Sequence, residues 1–241
     1  MSNHPQLTLY SSPVCPYAAR AVLAMAETKQ EHEAIAIDIA VPRPEWYLHI
    51  NPYGQVPALK INDKDVIFES LIVAEYIADL HPESGLISAD ALQRAQTRYI
   101  IQHWGNHVQS VIHKASITVD PTESAKLRQE VIKELEKVNV LLEKAARKAV
   151  DATGPFFLGE RFTFADLAIA PFLARFFLIS AFQEDQDTVR KEFEQSLLEN
   201  SNLKRFNEWR HAIVARASVQ KATADEESIK NLYRKFIPKS N

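Results

Sequence analysis

The sequence predicts a small α/β domain followed by an all-helical domain. Three observations carry that prediction. Short apolar or alternating runs bounded by turn residues are confined to the first 80 residues. A stretch carrying Pro82 and Gly85, His81 to Ala89, then interrupts the pattern. Almost everything after it has helical period. Residues 1–81 are read as the first domain, 82–89 as a linker and 90–241 as the second. A chain of 241 residues is long enough for two small cores.

Each element has its own reason. Leu7 to Tyr10 is a short buried strand, followed by a Ser-Ser-Pro turn at 11–13. Residues 16–27 form a helix: Pro16 suits the first helical position, and Ala18, Ala21, Val22 and Met25 make an apolar stripe. Glu33 to Asp38 alternates as a second strand, and an irregular link follows. Residues 57–61 and 66–68 are two short strands joined by the polar turn Asn62 to Asp65. Ser70 is placed to cap a helix through Leu71, Val73, Ala74, Ile77 and Ala78. In the second domain Leu127, Val131, Leu135, Val138, Leu142 and Ala146 make the buried face of a charged helix at 123–148. Thr163 to Asp166 has the form of a capping box with Asp for Glu, starting an apolar helix that contains Leu167 to Phe182. Residues 183–192 read as a charged loop, and 203–217 and 228–236 as terminal helices.

Composition narrows the function. Lys plus Arg number 28 against 31 Asp plus Glu, so no basic footprint marks a nucleic-acid or anionic-membrane partner. The five glycines, Gly54, Gly85, Gly105, Gly154 and Gly159, have no spacing that fits a dinucleotide fingerprint or a P-loop. The longest apolar stretch, broken by Pro171 and Arg175, is shorter than a bilayer span of roughly 20 residues. With no secretory pattern at the start, the expectation is a cytoplasmic protein. Cys15 is the one cysteine, which excludes internal disulfides and cysteine-clustered metal sites. His103 and His107 stand four residues apart on one helix face, but no carboxylate accompanies them, and no metal is expected.

Cys15 is where the chemistry concentrates. It follows a strand and turn and precedes Pro16 at a helix start, where the helix dipole favours a thiolate, the nucleophile of thiol–disulfide exchange. A lone cysteine is otherwise a small buried hydrophobe. Tyr10, Ser11 and Ser12 are near enough in sequence to offer a hydroxyl instead, and Cys15 ranks above them by its place before proline.

The segment Cys15, Pro16, Tyr17, Ala18 resembles the thioredoxin-superfamily active-site motif with its second cysteine replaced by alanine. With Arg20, with Arg43 to Tyr47, Asn51 to Leu59 and Phe68 to Ser70, and with the box at 163–166, the chain resembles the omega-class, cysteine-type cytosolic glutathione transferases. That resemblance implies a thioredoxin-like first domain and the two-domain architecture of those enzymes. It implies glutathione as co-substrate, held by Pro16, Tyr17, Arg43, Val56, Pro57, Glu69 and Ser70. Val56 before a cis-Pro57 would pair with the cysteinyl backbone, Glu69 and Ser70 would meet the γ-glutamyl end, and Arg43, where the family often has lysine, would hold the glycine carboxylate. Arg43 as a solvated loop cation is the competing reading. A second-substrate pocket lined by Trp104, His107, Arg175, Ile229, Tyr233 and Phe236 is implied between the domains, although aromatics at helical spacing are more often core. The implied activities are thioltransferase, dehydroascorbate reductase and reductive deglutathionylation, in a homodimer, by a monothiol cycle because Ala18 occupies the resolving position. The alternative is a non-catalytic binding or regulatory protein of the same architecture, including the soluble chloride-channel-like relatives.

Overall fold

The computed structural model describes residues 5–146, 153–182 and 185–237. They divide into two compact units, one of residues 5–87 with 217–224, the other of 88–216 with 225–237.

The first unit is a four-stranded mixed sheet. Strand β1 (Leu7–Ser11) leads into helix α1 (Pro16–Thr28) and strand β2 (Glu33–Ala36), then helix α2 (Glu45–Ile50), strands β3 (Ala58–Ile61) and β4 (Asp65–Phe68), and helix α3 (Ser70–Asp79). The strand order is β2-β1-β3-β4, with β1 parallel to β2 and antiparallel to β3. Central β1 has Leu7 and Leu9 buried, and Leu9 stands opposite Leu59. Helices α1 and α3 pack on each other through small residues, with Ala18, Ala21, Ala24, Ala74 and Ala78 essentially inaccessible. A one-carbon side chain lets two helix backbones approach closely over the sheet. Helix α1 ends at Lys29 in the left-handed region, whose N–H returns to the Met25 carbonyl.

Three readings are corrected here. The link after β2 contains α2, a helix too short to show apolar period in the sequence. Ser70 is not a cap: Glu69 holds that position, and Ser70 is the first helical residue. Helix α10 (Ala217–Ala222) packs on α1 with Val219 buried, and Ser218 Oγ donates to Glu27 at 2.5 Å, so this late segment belongs to the first unit.

The second unit is helical. Helix α4 (Ala91–His103) passes through a π turn (Trp104–Val108) into α5 (Gln109–Ile117), and α6 (Pro121–Ala146) follows. The predicted face of α6 is buried from Leu127 to Leu142; the Ala146 side chain, and the end of the predicted helix at 147–148, lie outside the described residues. Helix α7 (Phe164–Leu173) is buried along its whole length. It does not run on to Phe182: it stops at Leu173, and a 3₁₀ turn spans Phe176–Ser180. The predicted charged loop at 183–192 is instead the first half of helix α8 (Gln186–Glu199), with residues 183 and 184 outside the described set. Its buried contacts are only Phe193 and Leu197, too sparse a stripe within residues 183–192 to announce a helix. Helices α9 (Lys204–Val214) and α11 (Glu226–Tyr233) complete the unit. No helix among the described residues is long and apolar enough to cross a membrane.

Candidate functional site

The site is built at the end of the sheet where β1 runs into α1. Cys15 is the cap residue of α1, with extended backbone, and Pro16 follows at the first helical position. The Cys15 N–H donates to the Ser12 carbonyl at 3.1 Å, and its own carbonyl accepts from Ala19 at 3.1 Å. This turn-then-helix geometry sets the sulfur at the positive end of the α1 dipole. Cys15 is 8% exposed and packs with Tyr10, Ala18, Ile37, Tyr47, Val56 and Ala58. Its Sγ lies 4.0 Å from the Val56 carbonyl oxygen. The Val56–Pro57 bond is cis. Val56 thus presents a backbone carbonyl to the thiol.

Two side chains to which sequence reasoning assigned no role hold the neighbouring Gln55 carbonyl. Tyr47, fully buried, donates its hydroxyl to the Gln55 carbonyl at 2.6 Å, and Asn51 Nδ2 donates to the same oxygen at 2.8 Å. Burial pushes the Tyr47 phenol up to about 12, so it remains a donor throughout the physiological range. A buried polar side chain inside the asparagine–proline stretch is the signal that marks Asn51: amides are rarely inaccessible unless they hold backbone.

Across the site stands the start of α3. Glu69 has φ 68°, the left-handed region that a non-glycine residue occupies at a cost of about 1–3 kcal/mol. Its carbonyl accepts the first intrahelical bond, from Val73 at 2.8 Å, so the amides of Ser70 to Ile72 have no acceptor within the helix. No side chain caps this end. The Ser70 hydroxyl accepts from Arg20 Nη1 at 3.1 Å. A guanidinium only donates, so the Ser70 oxygen is the acceptor in that bond and its own proton is available to a further partner. Arg20 is buried, lies 5.5 Å from the Tyr17 ring centroid, and is lowered to about 10, first by burial and against the opposing pull of Tyr17 and Cys15. The signal in the sequence was a charge on a helix otherwise rich in alanine.

Arg43 is placed differently from its sequence reading. Nε donates to the Gly54 carbonyl at 2.8 Å, Nη1 to those of Asp38 at 3.0 Å and Val41 at 2.5 Å, and Nη2 to that of Ile39 at 3.3 Å. It ties its own loop together.

In the helical unit the six residues expected to line a second pocket have unlike surroundings. Trp104 and Ile229 are fully buried core, Trp104 meeting Trp209 edge-on with centroids 6.4 Å apart. Arg175 is also buried and donates to the Pro171 carbonyl at 2.8 Å. Tyr233 and Phe236 form an aromatic group with His113, and Phe236 is exposed. His107 is exposed, with its ring 4.9 Å from that of His103. No group of three or more potential metal ligands occurs among the described residues.

Comparison with known proteins agrees with this geometry. The profile for the glutathione S-transferase N-terminal domain matches residues 9–85, and that for the C-terminal domain matches residues 125–212. Glutathione S-transferase omega-2 of Mus musculus is 32% identical over 96 residues, 40% of this chain and 38% of that one. The chain thus aligns with well under half the length of that relative. Omega-1 of Rattus norvegicus is 28% identical over 170 residues, 70% of this chain and 67% of that one. Among solved structures, glutathione transferase Omega 1C from Trametes versicolor superposes with a TM-score of 0.77 at 28% identity, covering 97% of each chain.

Proposed function

The chain belongs to the glutathione S-transferase family, with its resemblance on the omega-class side, and from that premise we propose that Cys15 carries a glutathione-dependent thiol-transfer activity. The observation that supports this most is Cys15 itself, a cysteine at an uncapped helix start with its sulfur 4.0 Å from the Val56 carbonyl.

The chemistry balances with one enzyme thiol. The Cys15 thiolate attacks the glutathionyl sulfur of a mixed disulfide, forming an S–S bond to glutathione and expelling the other thiolate, which takes up a proton. A second glutathione, as thiolate, attacks the glutathionyl sulfur of that adduct, leaving as glutathione disulfide and restoring Cys15. Ala18 stands where a resolving thiol would be, so release has to come from solution. Dehydroascorbate enters the same cycle once one glutathione thiol has added to its carbonyl: the Cys15 thiolate attacks that sulfur, the C–S bond breaks and its electron pair leaves on the ascorbate. A glutathione conjugate enters likewise, its organic group leaving with the C–S electron pair and taking up a proton; in both cases a reduced glutathione then releases Cys15 as glutathione disulfide. Val56 would pair with the cysteinyl unit, and Ser70 with the opening amides of α3 would receive the γ-glutamyl carboxylate. Glu69 would receive the ammonium. Homodimerisation and a cytoplasmic setting belong to the same reading.

The test is intact mass after incubation with oxidised glutathione, then with reduced glutathione. One glutathionyl group on Cys15, removed by the added thiol, is the expected result. Cys15→Ser should take no adduct and lose thiol-transfer turnover by roughly 100-fold or more, because a serine hydroxyl, un-ionised at neutral pH, does not attack a disulfide sulfur. An unlabelled wild-type protein whose Cys15 still reacts with a small alkylating agent would instead favour a binding or regulatory protein.

A further inference from the structure

We infer that this site reads the γ-glutamyl and cysteinyl parts of its thiol but not the glycine carboxylate, so that γ-glutamylcysteine serves it about as well as glutathione. The inference rests on the thiol-transfer reading above.

It follows from what holds Arg43. A guanidinium has five N–H groups, and here four of them meet the carbonyls of Asp38, Ile39, Val41 and Gly54. Recognition of a carboxylate by arginine uses two parallel N–H groups, and one remains. Swinging the head outward to present a fork would give up all four bonds, including those to the part-buried carbonyls of Gly54 and Ile39. The stem is fixed as well: Gly54 has φ +63°, and a Cβ there would stand 3.0 Å from Arg43 Cγ. The side chain lies on a backbone that only glycine vacates easily, with its head bonded to the loop.

The other cations of residues 5–87 are placed elsewhere. Lys60 pairs with Asp63 at 2.5 Å in the β3–β4 hairpin, whose Asn62 bonds to Gln6 at the beginning of β1. Lys64 is in that same turn, and Lys29 caps the end of α1 just before β2. Because β1 and β2 are parallel, all three stand at the end of the sheet away from Cys15. Arg20 is engaged with Ser70, on the γ-glutamyl side. His49 is exposed in the last turn of α2. The γ-glutamyl end thus meets a serine backed by a buried cation, whereas the glycyl end meets a cation already satisfied by its own loop.

The experiment compares oxidised glutathione with oxidised γ-glutamylcysteine as sources of the Cys15 adduct, and the two reduced thiols as co-substrates, by specificity constant. A gripped carboxylate is ordinarily worth roughly 10–100-fold. The expected ratio is within about 3-fold of unity, and Arg43→Ala should weaken both thiols together and leave that ratio unchanged. A penalty of about tenfold or more for γ-glutamylcysteine overturns the inference, whether Arg43→Ala abolishes it (Arg43 is the reader) or preserves it (His49 or another group is). Should Arg43→Ala not fold, the wild-type ratio decides alone. If neither disulfide labels Cys15, the thiol-transfer reading has failed; if glutathione labels it and γ-glutamylcysteine does so ten times more poorly, only the present inference has.

Discussion

Helices α3 and α7 begin in opposite ways. At the start of α7 the Asp166 carboxylate accepts from the Thr163 N–H at 2.8 Å, the Thr163 hydroxyl at 2.7 Å, the Phe157 N–H at 2.9 Å and Trp209 Nε1 at 2.6 Å, all in a fully buried setting. These four donors are all answered from within the protein. At the start of α3 no side chain caps, the residue before the helix is held at φ 68°, and the buried serine that follows is turned by Arg20. A helix N-terminus is a fixed cluster of donors. Filled by the chain it strengthens the fold; left open it becomes a receptor for a ligand carboxylate. The α1 start, where Cys15 stands, is uncapped as well.

This contrast can be broken at the closed end first. Asp166→Ala would leave four buried donors unanswered and should cost roughly 3–5 kcal/mol, read as a lower denaturation midpoint with unchanged slope. A loss under about 1 kcal/mol would mean that α7 is not held by its cap. At the open end Ser70→Ala should do the reverse, costing about 1 kcal/mol or less in stability while raising the KM for glutathione roughly tenfold, with kcat little altered. Equal damage to stability and binding would erase the distinction drawn between the two ends.

A third helix start sharpens the point with the smallest effect. Asp225 caps α11 from an exposed position, accepting from the Ser228 N–H at 2.9 Å and hydroxyl at 2.6 Å. These bonds, the hydroxyl's first, hold its carboxyl below the usual 3.8. A folded-state value below the unfolded one means that the stabilisation is complete above 3.8 and is lost as pH falls through the lower folded value. The Tm difference between wild type and Asp225→Asn, which keeps the acceptor but not the charge, should therefore be present at pH 5 and fade below 3.8. A difference constant across that interval would show that the charge contributes nothing to this cap.

How much of this was legible in the sequence follows the same division. The closed start could be read, because a capping box is a pattern of side chains at fixed spacing, and Thr163 and Asp166 form it. Strands β1 and β3 and helix α1 were legible from Pro16 and from apolar positions that the fold buries. Helix α2 was not, because its six residues bury only Tyr47, and α8 was hidden by charge. At the site, the position of Cys15 before Pro16 is local and readable. The bond from Arg20 to Ser70 joins residues 50 apart, and the roles of Tyr47 and Asn51 depend on one carbonyl oxygen they share. The four bonds of Arg43 to its own loop were not legible for a related reason: a side chain's type tells what it can hold, but its neighbours decide what it does hold.

The return of α10 to α1 has a consequence for how the protein is made. The α/β unit is begun first, yet Val219 and the Ser218–Glu27 bond that complete its α1 face are supplied only after the chain has been built out to Ala222. On the ribosome, the surface of α1 that α10 will cover waits, apolar and open, while the helical unit up to Arg216 is synthesised. The unit carrying Cys15 is therefore finished only after Ala222 has been made, and a chain released before Ala217 would carry the thiol on an incomplete scaffold.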